Sequence, residues 1–107
     1  MHPPGSQLRR HPAFHSAFLD HDRDVLVWLP PGYDGHAHRY PVLYMHDGQN
    51  LFEPDTAFQK GEHWRIGETA GELIAAGRIE PLIIVGIFNT GTHRYGEFLK
   101  DYRPTDW

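Results

Sequence analysis

Cysteine is absent from the 107-residue sequence, and serine occurs only at Ser6 and Ser16. The lack of cysteine excludes disulfides, thiolate zinc sites and cysteine nucleophiles. Basic residues are also few, since 10 Lys and Arg stand against 14 Asp and Glu, for a formal charge of -4. A nucleic-acid-binding domain normally carries a basic stripe, and an anionic membrane attracts basic clusters. We therefore expect neither nucleic acid nor a membrane surface as a partner.

Long hydrophobic runs are missing as well. The longest apolar run, residues 82–88, is far below the roughly 20 residues that span a bilayer, and residues 1–6 show no apolar segment of a secretory signal. These features predict a soluble, cytoplasmic protein. The composition is nevertheless 39% hydrophobic and 13% aromatic, which is too apolar for a disordered chain.

The chain divides into a flexible N-terminal arm over residues 1–12, which is polar and rich in proline, and one domain over residues 13–107. Near the start of the domain, residues 13–19 and 24–29 are β-rich and flank a short polar turn, which predicts an antiparallel hairpin. Residues 40–45 are apolar on both faces, as expected for a strand of a parallel sheet that is covered on both sides.

A helix and a further strand follow. Apolar residues recur at helical spacing over residues 64–76, with Gly77 placed to end the helix and Pro81 to prevent its continuation. Residues 82–88 then predict a second strand that is apolar on both faces. Strand, helix and strand make a βαβ unit, so the sequence predicts an α/β fold that opens with a hairpin.

The sequence offers two candidate positions for a functional site, because sites in α/β sheets form at the carboxyl ends of parallel strands. These ends are residues 45–50 and 88–91. In the first, Gly48 permits a tight turn that would aim the next backbone N–H into a cleft, where it could stabilise the oxyanion of an acyl-transfer reaction. The alternative is a strand-to-loop turn that needs Gly48 for its geometry alone.

Three stretches of the sequence resemble the Putative esterase family, the α/β-hydrolases related to esterase D and enterochelin esterase. They are residues 25–33, residues 40–52 with the run MHDGQNLF, and residues 81–91. The resemblance covers about residues 13–100. It implies an incomplete α/β-hydrolase sheet, made of an N-terminal β-hairpin and one βαβ unit, in which the fourth strand inserts between the second and the third.

For the site, the resemblance implies that the backbone N–H of Gln49 is one donor of the oxyanion hole, so that the Gln49 side chain is not required. Asp47 and Asn50 would shape the loop. Asn50 and Asn89 are the candidate substrate-binding residues, although a turn role is an equally good account of Asn89. The activity implied is hydrolysis of a small-molecule or acyl ester through a serine acyl-enzyme, aided by a His and an acidic residue. No cofactor is implied.

The serine nucleophile of this family belongs in a G-x-S-x-G elbow on a later strand-to-helix turn. Neither Ser6 nor Ser16 is flanked in that way. The sequence is therefore interpreted as the N-terminal part of a serine esterase that is inactive by itself. The alternative is a non-catalytic half-sheet or interaction module that self-associates as a homo-oligomer through its open sheet edge.

A metal hydrolase is the third hypothesis, because the sequence holds nine His residues. His36 and His38 lie in a polar turn, and the other seven lack the i, i+4 spacing of a helical zinc pair. No metal site is therefore predicted, and chelation is expected to leave any activity unchanged.

The remaining acidic and aromatic residues that could serve a site are instead assigned structural roles. Three aspartates alternate as in a calcium loop but lack its Gly and distant Glu, which favours a solvated turn: Asp20, Asp22 and Asp24. Three glutamates are assigned to a solvated face: Glu62, Glu68 and Glu72. Two tryptophans are assigned to the core or the cover of the sheet: Trp28 and Trp64.

Overall fold

The computed structural model describes residues 5–18, 21–58 and 62–89. These residues contain four strands, one 3₁₀ turn and one α-helix. In chain order they are β1 (Gln7–Phe14), β2 (Arg23–Leu29), β3 (Val42–Met45), the 3₁₀ turn (Gly48–Asn50), α1 (Ile66–Ala75) and β4 (Ile83–Ile87). Within the described ranges, no helix is long and apolar enough to cross a membrane.

The four strands form one mixed sheet in the order β1-β2-β4-β3. β2 pairs antiparallel with both β1 and β4, whereas β3 and β4 are parallel neighbours. Because α1 connects β3 to β4, these three elements are the predicted βαβ unit. β4 lies between β2 and β3, as the resemblance implies. The predicted α/β sheet with one hairpin and one βαβ unit is confirmed.

Strand β1 begins earlier than predicted. It runs from Gln7 to Phe14 and pairs with β2, so residues 7–12 of the predicted flexible arm lie in a strand. The predicted strand over residues 13–19 is wrong at residues 15–18, which form no strand, and residue 19 lies outside the described residues. All but one of its residues are exposed. The strand pairs with β2 along most of its length, and it has no hydrophobic periodicity from which it could be predicted. Residues 1–4 of the predicted arm lie outside the described residues.

One face of the sheet carries the hydrophobic core. Alternate residues of β2 and β4 reach this face, because successive side chains of a strand point to opposite sides. They pack with α1 and with the residues after the 3₁₀ turn in one buried cluster: Leu26, Trp28, Leu51, Phe52, Ala70 and Ile84. The core prediction for Trp28 is confirmed. Trp64 is 53% exposed, so its assignment is wrong, because it precedes the first residue of α1 and lies outside the packed helix face.

The opposite side of the sheet, called here the open face, presents half-buried apolar side chains of β2 and β4: Val25, Val27, Val85 and Ile87. Together with Tyr44 and residues of β1 they line an apolar groove of about 500 Å³. Tyr44 in β3 is 68% exposed. The prediction that β3 is covered on both sides is wrong for the described residues, since Val42, Leu43 and Tyr44 are all exposed; β3 is also an edge strand of the sheet.

Candidate active site

The chain turns sharply after the carboxyl end of β3. Asp47 adopts a left-handed conformation with φ 55° and ψ 47°, and the 3₁₀ turn follows at once. Asn50 N donates to Asp47 O at 2.9 Å, and Leu51 N donates to Gly48 O at 3.4 Å. The first N–H groups of a helical turn have no acceptor inside it. The turn therefore leaves the Gln49 N–H out of its own hydrogen bonds.

Gly48 is buried against the backbone of β4. A Cβ atom at Gly48 would lie 2.6 Å from Gly86 O and 2.8 Å from Ile87 N, and a Cβ atom at Gly86 would lie 3.1 Å from Gly48 Cα. The two glycines thus let the chain after β3 cross directly over β4. Gly48 does not have a positive φ. The position needs glycine because of this close approach, and not for the tight-turn conformation predicted from the sequence.

Asn89 joins the two strand ends. Its backbone N–H donates to Gln49 Oε1 at 3.1 Å, and its side-chain Nδ2 donates to Asp47 Oδ1 at 3.0 Å. The structure therefore brings together Gln49 and Asn89, which lie 40 positions apart in the sequence. The Gln49 side chain has a structural role that sequence reasoning missed, because no local pattern indicates a partner at such a distance. These contacts give Asn89 a turn role, and its substrate-binding role stays a prediction.

Asn50 organises the loops that follow the turn. Its side-chain Oδ1 accepts a hydrogen bond from Phe58 N at 2.8 Å, and its backbone O accepts one from Trp64 N at 2.7 Å. Beside it, Thr56 Oγ1 donates to Gln49 O at 2.7 Å. The chain on both sides of residues 59–61 is thus tied to the same turn. Asn50 shapes the loop, as the resemblance implies, and substrate binding by Asn50 stays a prediction.

A pocket of about 340 Å³ opens beside the turn and is lined by Asn50, Phe58, Glu62, His63 and Trp64. We call it the Asn50 pocket. Two of its walls are large aromatic side chains that face solvent, since Phe58 is 87% exposed and Trp64 is 53% exposed. Its polar walls include the exposed Glu62. A concave surface that combines rings with a few polar groups is typical of small-molecule sites.

His63, which lines the Asn50 pocket, forms a largely buried polar pair with Glu68. His63 Nε2 lies 3.6 Å from Glu68 Oε2, and the two side chains are only 12% and 15% exposed. Arg65 Nε also donates to Glu68 Oε2, at 3.2 Å. The assignment of Glu68 to a solvated face is therefore wrong. Glu68 lies in the first turn of α1, where a carboxylate interacts favourably with the helix dipole. Glu62 and Glu72 are exposed, as predicted.

The His and Asp residues considered above as metal ligands either contact other side chains or lie exposed in the described chain. His15 Nδ1 lies 2.9 Å from Asp22 Oδ1, and Arg10 pairs with Asp24. His36 and His38 are exposed in the turn before β3. Among the described residues, no group of three or more His, Asp or Glu side chains is arranged to hold a metal ion. Asp20 lies outside the described residues.

These features define an α/β protein with a candidate site at the carboxyl end of β3, and known proteins share its fold. The family model described as Putative esterase matches residues 16–104. The match covers most of the chain, so the protein belongs to the Putative esterase family. The resemblance noted in the sequence is confirmed.

Two solved structures are similar to the chain. A protein named FAE aligns with a TM-score of 0.56 and 25% identity over 94% of this chain. A ferulic acid esterase aligns with a TM-score of 0.55 and 23% identity over 88% of this chain. The alignments cover 35% and 40% of those two chains, so this chain spans less than half of their length. A search among curated proteins finds no match.

Proposed function

We propose that the chain supplies the oxyanion-binding part of a serine carboxylic-ester hydrolase, with the backbone N–H of Gln49 as one donor. The observation that carries this proposal is the N–H that the 3₁₀ turn leaves out of its own hydrogen bonds, at the carboxyl end of a parallel strand. The Gly48–Gly86 contact and the two bonds of Asn89 support it by fixing the turn on β4. A donor held in place before the reaction costs no reorganisation when charge develops.

In the proposed mechanism, a serine hydroxyl attacks the ester carbonyl while a His takes its proton. The carbonyl oxygen then carries the negative charge of the tetrahedral intermediate. It accepts hydrogen bonds from Gln49 N–H and from the N–H of the residue after the nucleophile. Neither Ser6 nor Ser16 stands in an elbow sequence. The proposal therefore assigns the nucleophile, the His and the acidic residue to a segment outside these 107 residues.

A pair of substitutions at Gln49 tests the proposed donor in the native gene product, whose intact mass is first compared with the 12.4 kDa of this chain. Gln49→Pro removes the N–H, and proline is tolerated in the first turn of a helix. Gln49→Ala keeps the N–H and removes the side chain that accepts from Asn89. We expect kcat for an aryl-acid ester to fall about 10²- to 10³-fold in the proline variant, with a much smaller loss in the alanine variant.

The control is the thermal unfolding midpoint of both variants, which shows whether a fall in kcat comes from the missing N–H or from loss of the folded structure. Equal kcat losses in the two variants would reject the N–H as the donor and point to the side chain. A gene product of 12.4 kDa with no ester hydrolysis would reject the proposed activity. Aryl-acid esters are the first substrates to assay because one structural neighbour is a ferulic acid esterase.

A second candidate function is self-association through β3. This strand lies at the edge of the sheet, and its Val42, Leu43 and Tyr44 are all exposed. The other edge strand, β1, carries Arg9, Arg10 and His11, and charged edges discourage pairing between sheets. Association would therefore use the β3 edge. Sedimentation of the chain as a monomer at high micromolar concentration would remove this candidate.

A further inference from the structure

We propose that Arg10 is a positioning residue, which holds the turn of the candidate donor in place through Phe88 and Asn89. This inference rests on the proposed function for the role of the Gln49 N–H. It gives the exposed edge strand β1 a part in the reaction, although its sequence predicts a flexible arm over the same residues. The connection runs along the covered face of the sheet, from β1 across β2 to the carboxyl end of β4, and from there to the 3₁₀ turn.

Arg10 lies on the same face of the sheet as the turn. It pairs with Leu26 of β2, and Leu26 pairs with Gly86 of β4. Residues that lie directly opposite each other on neighbouring antiparallel strands share a face of the sheet. Leu26 belongs to the buried cluster, and Gly86 lies under Gly48 of the turn. The side chain of Arg10 is therefore on the covered face, in a row of residues that ends beneath the turn.

The guanidinium group of Arg10 contacts both a carboxylate and a ring. It lies 5.2 Å from the centre of the Phe88 ring, which is a cation–π distance, and its Nη2 donates to Asp24 Oδ2. The other carboxylate oxygen of Asp24 accepts from Ala13 N at 2.9 Å, which fixes the carboxylate. The backbone O of Asp24 accepts from Phe88 N at 3.0 Å. Asp24 and Phe88 are thus joined twice, once through the main chain and once through Arg10.

Phe88 transmits this restraint to the turn through the next peptide unit. The unit that joins Phe88 to Asn89 is planar, and it contains the N–H that Asn89 donates to Gln49 Oε1 at 3.1 Å. The direction of that N–H therefore depends on how firmly Phe88 is held. The Asn89 side chain, which donates to Asp47 Oδ1 at 3.0 Å, is carried by the same residue. Loss of the Arg10 contact should loosen both bonds that tie the turn to β4.

Hydrogen exchange of the Asn89 amide in the native gene product tests the connection without any need for turnover. Arg10→Met removes the guanidinium group and keeps an unbranched side chain. We expect Asn89 exchange, followed by NMR, to become about two- to fivefold faster, the size of an exposed cation–π contact. Arg9→Met is the matched control, since it removes the same charge from the next residue of β1, which faces the opposite side of the sheet and donates to Gln7 Oε1 at 3.0 Å.

The kinetics of ester hydrolysis give a second measurement. Arg10→Met should lower kcat about two- to fivefold and leave KM unchanged, because the Gln49 N–H acts on the charge of the transition state. Phe88→Leu removes the ring and keeps an apolar side chain. If Arg10 acts through the ring, Arg10→Met has no further effect on kcat or on Asn89 exchange in a Phe88→Leu background. A purely structural role of Arg10 in β1 would instead give additive effects.

Four results would overturn the inference: unchanged Asn89 exchange in Arg10→Met, an equal change in Arg9→Met, additive effects in the double variant, or an equal rise in exchange at Ile84 in the middle of β4. The last result would show that the whole fold has been destabilised. Hydrolysis that falls in Gln49→Pro but not in Arg10→Met would reject the positioning role alone. A gene product without ester hydrolysis would reject the proposed function, and Asn89 exchange would still decide whether Arg10 holds the turn.

Discussion

The two faces of the sheet differ although the same strands build both. On the covered face, the cross-strand pair Trp28 and Ile84 is buried, whereas the next pair along the same strands, Val27 and Val85, is half-buried on the open face. The difference comes from the chain after β3. The residues that follow the 3₁₀ turn and those of α1 pack into the cluster on the covered face, and the described residues place no helix on the open face.

The covered face also holds the candidate site in place, because residues next to the 3₁₀ turn are part of the hydrophobic core. Leu51 and Phe52, which directly follow the turn, are fully buried. Burial of a side chain of this size stabilises a protein by about 1.5–3 kcal/mol relative to exposure. The position of Gln49, two residues before Leu51, is therefore set by core packing. The open face contributes less to stability and does not hold the turn.

The largest effect is expected from truncating the covered face. Trp28→Ala should lower the free energy of unfolding by about 3–5 kcal/mol, because it removes a fully buried ring and leaves a cavity. Val27→Ala, one residue earlier and on the open face, should cost less than about 1 kcal/mol, since a half-buried side chain loses little packing. Urea unfolding followed by circular dichroism measures both. Similar losses in the two variants would mean that the open face is covered in solution.

A smaller effect is expected where the turn crosses β4. Gly48→Ala inserts a Cβ atom between Gly86 and Ile87, so we expect a loss of about 1–3 kcal/mol from overpacking, together with a change in the Gln49 amide chemical shift. Gly77→Ala is the matched control. Gly77 has a φ of 70° and nothing near its Cβ position, so it should cost about 1–2 kcal/mol from backbone strain and leave the Gln49 amide unmoved. An unmoved Gln49 amide in Gly48→Ala would contradict the close contact.

Much of the fold was predictable from local sequence patterns. β2 and β4 are apolar runs, α1 has helical spacing with Gly77 after it, and the order of the strands followed from the family resemblance. β1 was not predictable in the same way, because seven of its eight residues are exposed and show no alternation of apolar and polar side chains. The exposure of Trp64 was not predictable either, since the hydrophobic character of a residue does not show whether it lies before a helix or inside it.

The candidate site was predictable only in part, for a related reason. The run from Asp47 to Asn50 identified the strand end, and a backbone donor does not depend on its own side chain. The contacts that hold the turn come from distant segments: Gly86 under Gly48, and Asn89 against Gln49. Nothing in the sequence near either position indicates such a partner, so these contacts required the folded structure.

The smallest effect is expected at the end of β1, where its pairing with β2 is irregular. Asp24 Oδ1 accepts from Ala13 N at 2.9 Å, and Asp24 Oδ2 pairs with Arg10. These bonds hold the irregular pairing between His11 and Phe14, two residues that line the groove of the open face. The Ala13 N–H, followed by the Arg10 guanidinium, holds the pKa of Asp24 below its ordinary value, and partial burial opposes this shift. This end of the groove is thus held by polar contacts more than by packing.

The pH dependence of stability tests that account. Because the pKa of Asp24 is lower in the folded chain than in the unfolded chain, its stabilisation is complete above the unfolded value of about 3.9 and is lost as the pH falls through the folded value. The difference in unfolding free energy between wild type and Asp24→Asn should therefore be greatest near neutral pH and shrink below about pH 4. Asp55→Asn, at an exposed loop carboxylate, is the control. A difference that stays constant down to pH 3 would mean that Asp24 acts through its shape and neutral hydrogen bonding, and that ionisation has no part in holding the end of β1.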